Sequence, residues 1–391
     1  MKLGHIMNQD LRSEVISHYF HLGINYKDIV YILDNIYGFK LSVRHLKRIL
    51  RTMNLSRRRF SPLVDVVSFI QDQLSASGQL CGYRIMYARC QQSGVKARME
   101  DVRLILRHLD PVGVASRRVR RLRRRSYYAK GPNFVWHVDG YDKLKPFGLC
   151  IHACVCGFSR KVIWIKVYNT NNNPKVIGGY FLEAVRTHRG CPRIVRADHG
   201  TENVHVRVYQ QYLRRDNTDP QAGRCFIDGS STSNQRIEVW WSFLRKECTQ
   251  FWIETFKGLE ENGDFRGDFL DKNLIQFCFM AIVQDDLDSV AAVWDNHCIR
   301  PSRNNIASGH PEQMYSAPAL WETEDQLCVV SDEDVSTCLE EAVIRSTIPC
   351  DEDVYEICTK VMGRDNLQPA TNAQEAADLY IHLRQEIYEV L

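Results

Sequence analysis

The order of strand-like and helix-like segments between Gly131 and about Phe256 constrains the fold of this chain more than any other feature. Three β-rich runs joined by short turns come first, and helical and strand segments then alternate until a long helix ends the region. The five strand-like runs are NFVWHVD, GLCIHACVC, KVIWIKVY, PRIVRA and GRCFID. Helices are expected at 174–188, at 204–215 and from a cap at Ser233 or Asn234 to about residue 256. This order predicts an α/β fold with a mixed five-stranded sheet and flanking helices.

The charges of the chain are divided unevenly along its length. Residues 1–135 contain 25 Lys and Arg against 9 Asp and Glu, whereas residues 136–391 contain 26 against 38. The net charge of the whole chain is only +4. The acidic excess is greatest in residues 320–391, with 4 basic and 17 acidic residues. Such an asymmetry indicates a basic part that meets a polyanion and an acidic part that does not.

The composition is that of an ordinary globular protein. At 391 residues and 44% hydrophobic, the chain is long enough for two to three domains of roughly 150 residues each. The longest apolar runs fall short of the about 18–20 residues that a membrane helix needs, so we expect no membrane partner. The N-terminus has no apolar signal core, so we expect an intracellular protein that is not secreted. Its 14 scattered cysteines are therefore expected to be reduced and mostly buried.

Residues 1–57 are predicted to form a helix-turn-helix-like module. Three short helices are expected at 12–21, 26–37 and 42–53, and the apolar positions of the third fall on one face. The other face of the third helix carries His45 and four candidate DNA-binding cations, namely Arg44, Lys47, Arg48 and Arg51. This face either contacts DNA or is the solvated side of an ordinary helical bundle, and the segment carries no signature that separates the two.

Residues 58–116 are predicted to form a second basic helical module, with helices at 62–74, 82–92 and 97–108. An arginine-rich linker, residues 117–130, follows and contains the run RRVRRLRRR. Its candidate DNA contacts are Arg120, Arg121, Arg123, Arg124 and Arg125. Arginine pairs with phosphate bidentately, so a polyanion contact is favoured over a purely solvated spacer. In a eukaryotic host the same run is also typical of a nuclear localisation signal, which predicts a nuclear protein.

Three acidic residues stand out by their positions in the predicted α/β region. Asp139 ends the first strand, Asp198 follows the fourth, and Glu238 lies one turn into the long helix. The ends of adjacent central strands meet at one edge of a sheet, and a helix packed across that edge brings a third carboxylate within reach. Converging carboxylates are costly to bury without cations, and oxygen-only sites suit Mg²⁺ or Mn²⁺. Two such ions about 3.5–4 Å apart can hold one phosphodiester between them.

The segments WHVDG, RADHGTEN and STSNQRIEVWW, in that order and on those elements, resemble the catalytic core of retroviral-type integrases and DDE transposases. The similarity covers about residues 131–256 and implies a ribonuclease H-like core. It further implies an enzyme that cuts and joins duplex DNA with two Mg²⁺ or Mn²⁺ ions, and that oligomerises because joining two ends usually requires two active sites. The second helical module also resembles the DNA-binding helices of bacterial insertion-sequence transposases.

The resemblance assigns roles to five residues. Asp139, Asp198 and Glu238 would be the catalytic metal ligands. Asn203, five residues after the second aspartate, and Gln235, three before the glutamate, match polar positions that face substrate in such cores. Two further cations of the long helix, Arg245 and Lys246, are candidates for a phosphate contact or are exposed helix charges.

The chain also departs from the retroviral pattern. The N-terminal histidines have no cysteine before Cys81, so we expect no zinc domain. The region 257–391 is predicted to be mostly helical and acidic, with a loop at 297–314 and helices near 332–346, 351–361 and 373–391. It is a surface for an unidentified protein partner, a mimic that competes with DNA, or a solvated helical face.

Two other functions stay open: a catalytically inactive, domesticated DNA-binding protein, and a ribonuclease H-like nuclease acting on RNA or a hybrid.

Overall fold

The computed structural model of the protein describes residues 9–56, 60–116, 129–215, 222–229, 234–301, 307–343 and 345–390. The chain divides into two compact units. The first unit comprises Met1–Tyr127 and Val293–Thr323, and the second comprises Tyr128–Ala292 and Glu324–Leu391. The five arginines predicted to contact DNA in the linker lie outside the described residues.

The first unit begins with three helices, α1 (Gln9–His21), α2 (Tyr26–Asn35) and α3 (Val43–Thr52). Asn25 begins α2 because its side-chain oxygen accepts hydrogen bonds of 3.0 Å from the backbone N–H groups of the first turn. The hydroxyl of Ser42 begins α3 in the same way. The three helices share one apolar core, which leaves the basic face of α3 exposed.

Four more helices follow in this unit: α4 (Leu63–Ser75), α5 (Tyr83–Gln92), α6 (Met99–Leu109) and α7 (Pro111–Ser116). Helices α4, α5 and α6 enclose a second core built on Val66, Ile70, Met86 and Leu106. The unit also includes residues 293–323. The prediction of a loop at 297–314 is wrong in part. Ile299 forms a β-bridge with Gly309, and α13 (Pro311–Ser316) follows. Pro311 occupies the first helical position, where its missing N–H costs no hydrogen bond, so the proline starts a helix instead of excluding one.

The second unit contains the mixed five-stranded sheet, which confirms the prediction from the sequence. Its strands are β1 (Val135–Tyr141), β2 (Cys150–Cys156), β3 (Val162–Tyr168), β5 (Ile194–Asp198) and β6 (Phe226–Gly229). They lie in the order β3-β2-β1-β5-β6. The first three strands are antiparallel, whereas β5 and β6 run parallel to β1. With helices on both faces, this is a ribonuclease H-like core.

The two faces of the sheet are covered by different helices. Helices α8 (Pro174–His188) and α9 (Val204–Leu213) pack on the face that carries Trp136 and Val138. Helix α10 (Gln235–Leu244) packs on the opposite face and continues through a π-helical turn, Arg245–Thr249, into α11 (Gln250–Glu261). The long helix predicted from residue 234 is therefore present, but one wide turn interrupts its regular spacing.

The remaining elements surround this core. Helix α12 (Phe269–Asn296) lies along the edge strand β3, where the side-chain amide of Gln284 donates to the carbonyl of Ile165 and accepts from the N–H of Val167, each at 3.0 Å. This amide supplies the pairing that an edge strand otherwise lacks. The other elements are the two-stranded sheet of β4 (Gly190–Cys191) with β7 (Cys328–Val329), followed by α14 (Asp332–Leu339), α15 (Glu352–Arg364) and α16 (Ala373–Val390).

Helix α16 is fastened to α12 by a buried carboxylate. Asp271 is fully buried and accepts from Nε of Arg384 at 2.7 Å and from the hydroxyl of Tyr380 at 3.2 Å. Of the helices in the described residues, none is long and apolar enough to cross a membrane.

Candidate metal and nucleic-acid site

Two of the three predicted acids lie side by side in the centre of the sheet. In the parallel pairing of β1 with β5, His137 is opposite Arg196, and Asp139 and Asp198 each lie two residues beyond that pair. Side chains alternate between the faces of a strand, so Asp139 shares a face with His137 and not with the core residue Val138. The same alternation places Asp198 opposite to buried Ala197. Both carboxylates therefore belong to the face that α10 covers.

The third acid, Glu238, lies in the first turn of α10. Asn234, the residue before this helix, fixes its start against the sheet. The buried Asn234 amide donates to the carbonyl of Val138 at 3.1 Å, and its oxygen lies 2.6 Å from Nδ1 of His137. Asn234 also lies near Asp198 and lowers the pKa of its carboxyl. One side chain thus connects the first strand to the helix that carries the third acid, and it does so beside the second acid.

The carboxylate of Asp139 is held by two N–H groups. The indole Nε1 of Trp241 donates to Oδ2 at 2.7 Å, and the backbone N–H of Gly140 donates to Oδ1 at 2.9 Å. The Trp241 ring packs on Tyr141, with ring centroids 5.0 Å apart, and the hydroxyl of Tyr141 lies 3.0 Å from that of Thr249 in the π-helical turn. These contacts fix the direction of the Asp139 carboxylate.

The electrostatics of the three acids favour a bound cation. Burial raises the pKa of Asp139 to about 7; the Trp241 hydrogen bond opposes this shift, and the charges of Asp198 and Glu238 add to it. Burial also raises the pKa of Asp198, although the interaction with Asn234 lowers it. The pKa of Glu238 is raised mainly by burial and, to a smaller extent, by repulsion from the charge of Asp198. Each anion is thus destabilised where it stands, and a nearby cation would relieve that cost.

The donor set also fits a hard divalent metal. All three side chains offer carboxylate oxygens, the ligands that Mg²⁺ and Mn²⁺ prefer. Oδ1 of Asp198 is buried and makes no hydrogen bond. The three sets of oxygens do not all lie within 4.8 Å of one another, and Glu238 is the exposed member. The site is an open arrangement of three ligands at the end of two strands.

Buried His137 lies beside the triad, on the same face as Asp139. Burial lowers the pKa of His137 to about 3, and Arg196 and Arg236 lower it further against the Asn234 hydrogen bond. The imidazole is therefore neutral at physiological pH and acts as a packed hydrogen-bonding group, not as a second cation.

The structure brings only some of the other predicted residues near the triad. Gln235 is the first residue of α10 and is half-buried, whereas Arg245 and Lys246 are exposed in the π-helical turn that continues this helix. The side chain of Asn203 is only 3% exposed and donates to Glu202 at 3.0 Å. The structure thus turns Asn203 into the interior and leaves the two cations of the helix on the surface.

The four cations predicted on the third helix belong to the first unit. All four, Arg44, Lys47, Arg48 and Arg51, are exposed on α3. Lys47 lies 5.4 Å from the centre of the Tyr26 ring. Their opposite face, with Leu46 and Leu50, is fully buried, so α3 is a strongly amphipathic helix with one basic side.

A separate group of potential metal ligands lies between α15 and α16. The ligand atoms of Asp365, His382 and Glu386 all fall within 4.8 Å of one another. The guanidinium of Arg364 already pairs with both carboxylates of this group, and His382 lies 2.8 Å from Asp365. The Arg364 cation thus already neutralises both carboxylates, and we interpret the group as a network of surface ion pairs.

Two residues of the site were not assigned a role by the sequence. Asn234 is identified there only as a possible helix cap, and Trp241 appears only within the segment STSNQRIEVWW. The spacing does contain a signal, because Trp241 follows Glu238 by three residues and so shares its helix face. Nothing in the sequence, however, shows that this face meets Asp139, which is 102 residues away.

Comparison with known proteins gives similarities of two kinds, to a family model and to solved structures. A family model described as the integrase core domain matches residues 126–328, more than half of the chain. A similar solved structure is the cryoEM structure of the simian T-cell lymphotropic virus intasome in complex with PP2A regulatory subunit B56 gamma. It is 16% identical, with a TM-score of 0.30, and the match covers 62% of this chain and 73% of that chain. No curated protein matches the chain.

Proposed function

This chain belongs to the integrase core domain family, and on that premise we propose that it is an active polynucleotidyl transferase that cuts and joins duplex DNA. The observation that carries the proposal is the juxtaposition of Asp139 and Asp198 on adjacent parallel strands, under the helix that begins with Asn234 and carries Glu238. Three carboxylates with raised pKa values and an unsatisfied buried oxygen are what a divalent metal site requires.

Asp139, Asp198 and Glu238 would hold two Mg²⁺ or Mn²⁺ ions. Bound there, the ions would activate the attacking water or 3′-hydroxyl and stabilise the departing 3′ oxygen. The protein holds Asp139 through the Trp241 indole and places buried Asn234 beside Asp198. Since this chemistry needs no covalent intermediate, no Ser, Tyr or Cys nucleophile is required.

Duplex DNA is the proposed partner of the basic parts of the chain. Exposed cations bind phosphates without reading sequence, and a basic amphipathic helix that follows a turn suits the major groove. We assign these phosphate contacts to α3, through Arg44, Lys47, Arg48 and Arg51, and to the arginine-rich linker. At the catalytic unit, Arg245 and Lys246 are the exposed cations of the helix that carries Glu238. We also assign substrate contacts to Gln235 and Asn203. The side chain of Asn203 is buried, so this contact requires that the side chain move outward.

Three further parts of the proposal come from the family and from charge. Joining two DNA ends calls for a homo-oligomer with two active sites. The acidic C-terminal region is assigned to an unidentified protein partner. The arginine run would direct the protein to the nucleus in a eukaryotic host.

The test is a cleavage and strand-transfer assay with labelled duplexes that carry random ends, in Mg²⁺ and in Mn²⁺, followed by sequencing of the products. Glu238→Gln is the matched variant because it keeps the size and the exposed position of the side chain but removes its charge. We expect metal-dependent products from the wild-type protein and none from this variant.

Two results would contradict the proposal. Equal cleavage by the variant would remove Glu238 from the site. Tight, salt-sensitive DNA binding without cleavage in either metal would instead favour the alternative, a catalytically inactive DNA-binding protein of the same origin.

A further inference from the structure

We propose that Trp241 is a positioning residue, whose indole N–H orients the Asp139 carboxylate toward a divalent cation. The inference rests on the proposed function, because it concerns the same three acids. It goes beyond that function by assigning a task to a neutral side chain that is not itself a ligand.

The hydrogen bond is short and well placed. Nε1 of Trp241 lies 2.7 Å from Oδ2 of Asp139, and the indole is only 6% exposed, so water competes little for the bond. Trp241 follows Glu238 by three residues, which puts the two side chains on one face of α10. The helix that supplies the third acid therefore also supplies the donor that holds the first.

The chemistry of the donor matters for a metal site. An ionised carboxylate has about four lone-pair sites, and the N–H groups of Trp241 and Gly140 take one on each oxygen of Asp139. The remaining sites are left for a cation. An indole N–H donates only one bond and carries no charge, whereas Arg or Lys in its place would compete with the metal for the carboxylate.

The indole ring of Trp241 is itself held in place by packing contacts. Its ring packs on Tyr141, and the Tyr141 hydroxyl meets Thr249 at 3.0 Å in the π-helical turn. A π-helical turn inside an α-helix is a frequent mark of a functional site. The contacts form a continuous support from Thr249 through Tyr141 and Trp241 to Asp139.

The chain offers a matched control. Nε1 of Trp252 donates to Oδ2 of Asp286 at 2.9 Å, in the same unit but on α11 and α12. Trp252 is 2% exposed and packs against aromatic rings. Trp252→Phe and Trp241→Phe therefore remove the same N–H-to-carboxylate bond from equally buried rings, and only the second touches the triad.

The experiment measures Mn²⁺ binding to the full chain by electron paramagnetic resonance, without DNA, for the wild type and for Trp241→Phe, Trp252→Phe and Asp198→Asn. The binding that Asp198→Asn removes defines the ions held by the triad. We expect Trp241→Phe to weaken this binding by about 10- to 100-fold, the usual effect of losing a hydrogen bond to a metal ligand. Trp252→Phe should leave it unchanged.

Each contrary result has one meaning. If Trp241→Phe binds Mn²⁺ as the wild type does, the positioning role is wrong while the metal site stands. If Trp252→Phe weakens binding as much as Trp241→Phe, the effect is loss of packing and the positioning role is again wrong. If Asp198→Asn binds as many ions as the wild type, with the same affinity, the triad holds no metal, and the proposed function fails together with this inference.

Discussion

Replacing Asn234 by Ala should be among the most damaging single changes in the core, although it removes only three non-hydrogen atoms. The amide is 1% exposed and makes hydrogen bonds to Val138 and His137. It makes no side-chain bond to the first turn of α10, so the usual loss of a helix cap does not add to the cost. The expected effect comes from the polar groups of β1 that it leaves behind.

The magnitude follows from those groups. Each hydrogen bond contributes about 0.5–1.5 kcal/mol net, and a buried polar group left without that partner costs roughly 1–3 kcal/mol. The Val138 carbonyl and the buried His137 ring both lose a partner. We therefore expect Asn234→Ala to lower the free energy of unfolding by about 2–4 kcal/mol.

The assay is urea denaturation followed by tryptophan fluorescence and far-UV circular dichroism. Asn273→Ala is the control, since the buried Asn273 amide likewise makes two hydrogen bonds, of 2.8 Å each, and both of its partners, Phe269 and Asp351, lie outside the triad. Both variants should be destabilised, and only Asn234→Ala should also lose Mn²⁺ affinity. A destabilisation below about 1 kcal/mol for Asn234→Ala would refute the view that this amide joins the helix to the sheet.

Three other predictions concern the sheet and the basic helix. Stability should fall as the pH drops below about 6.5, because burial lowers the pKa of His152 to about 3 and only the unfolded chain takes up this proton. His152 alone should contribute up to about 1.4 kcal/mol per pH unit to this slope, so urea midpoints from pH 4 to 8 should depend less on pH in His152→Gln than in the wild type; an unchanged slope would contradict the assignment. At the sheet edge, Gln284→Met keeps the length of the side chain but loses both bonds to β3, which should cost about 1–3 kcal/mol in denaturation experiments. A cost near zero would argue against the two-bond pairing. Replacing Lys47, Arg48 and Arg51 by Ala should reduce the salt dependence of duplex binding by about 0.9 in log–log slope per lost phosphate contact, and an unchanged slope would remove α3 from the DNA interface.

The succession of strands along the chain could be predicted from the sequence because it depends on local patterns. Runs such as GLCIHACVC and KVIWIKVY have the β-branched and aromatic content of buried strands, and short turns separate them. The structure places these runs in β2 and β3 within one residue or two of the expected ends. Adjacency of Asp139 and Asp198 follows from the same topology, since a helix between parallel strands returns the chain to the sheet.

The contacts that hold the site could not be predicted in this way. A tryptophan in an apolar helix fits a packed core position equally well, so the sequence alone does not reveal the bond from Trp241 to Asp139. The π-helical turn at Arg245–Thr249 has no sequence signature and changes which residues share a face with Glu238. The role of Gln284 could not be predicted for the same reason. Its half-buried amide pairs with the edge strand β3, and the sequence does not show that α12 lies beside that strand.

The most direct test of the acidic site is the location of Mn²⁺ by anomalous X-ray scattering, in crystals of the full chain grown with MnCl₂. We expect anomalous peaks bounded by the carboxylates of Asp139, Asp198 and Glu238, and their loss in crystals of Asp198→Asn. Peaks at the group of Asp365, His382 and Glu386 with none at the triad would contradict the proposed site, because the metal would then be bound by other residues than the three acids on which the proposed chemistry depends.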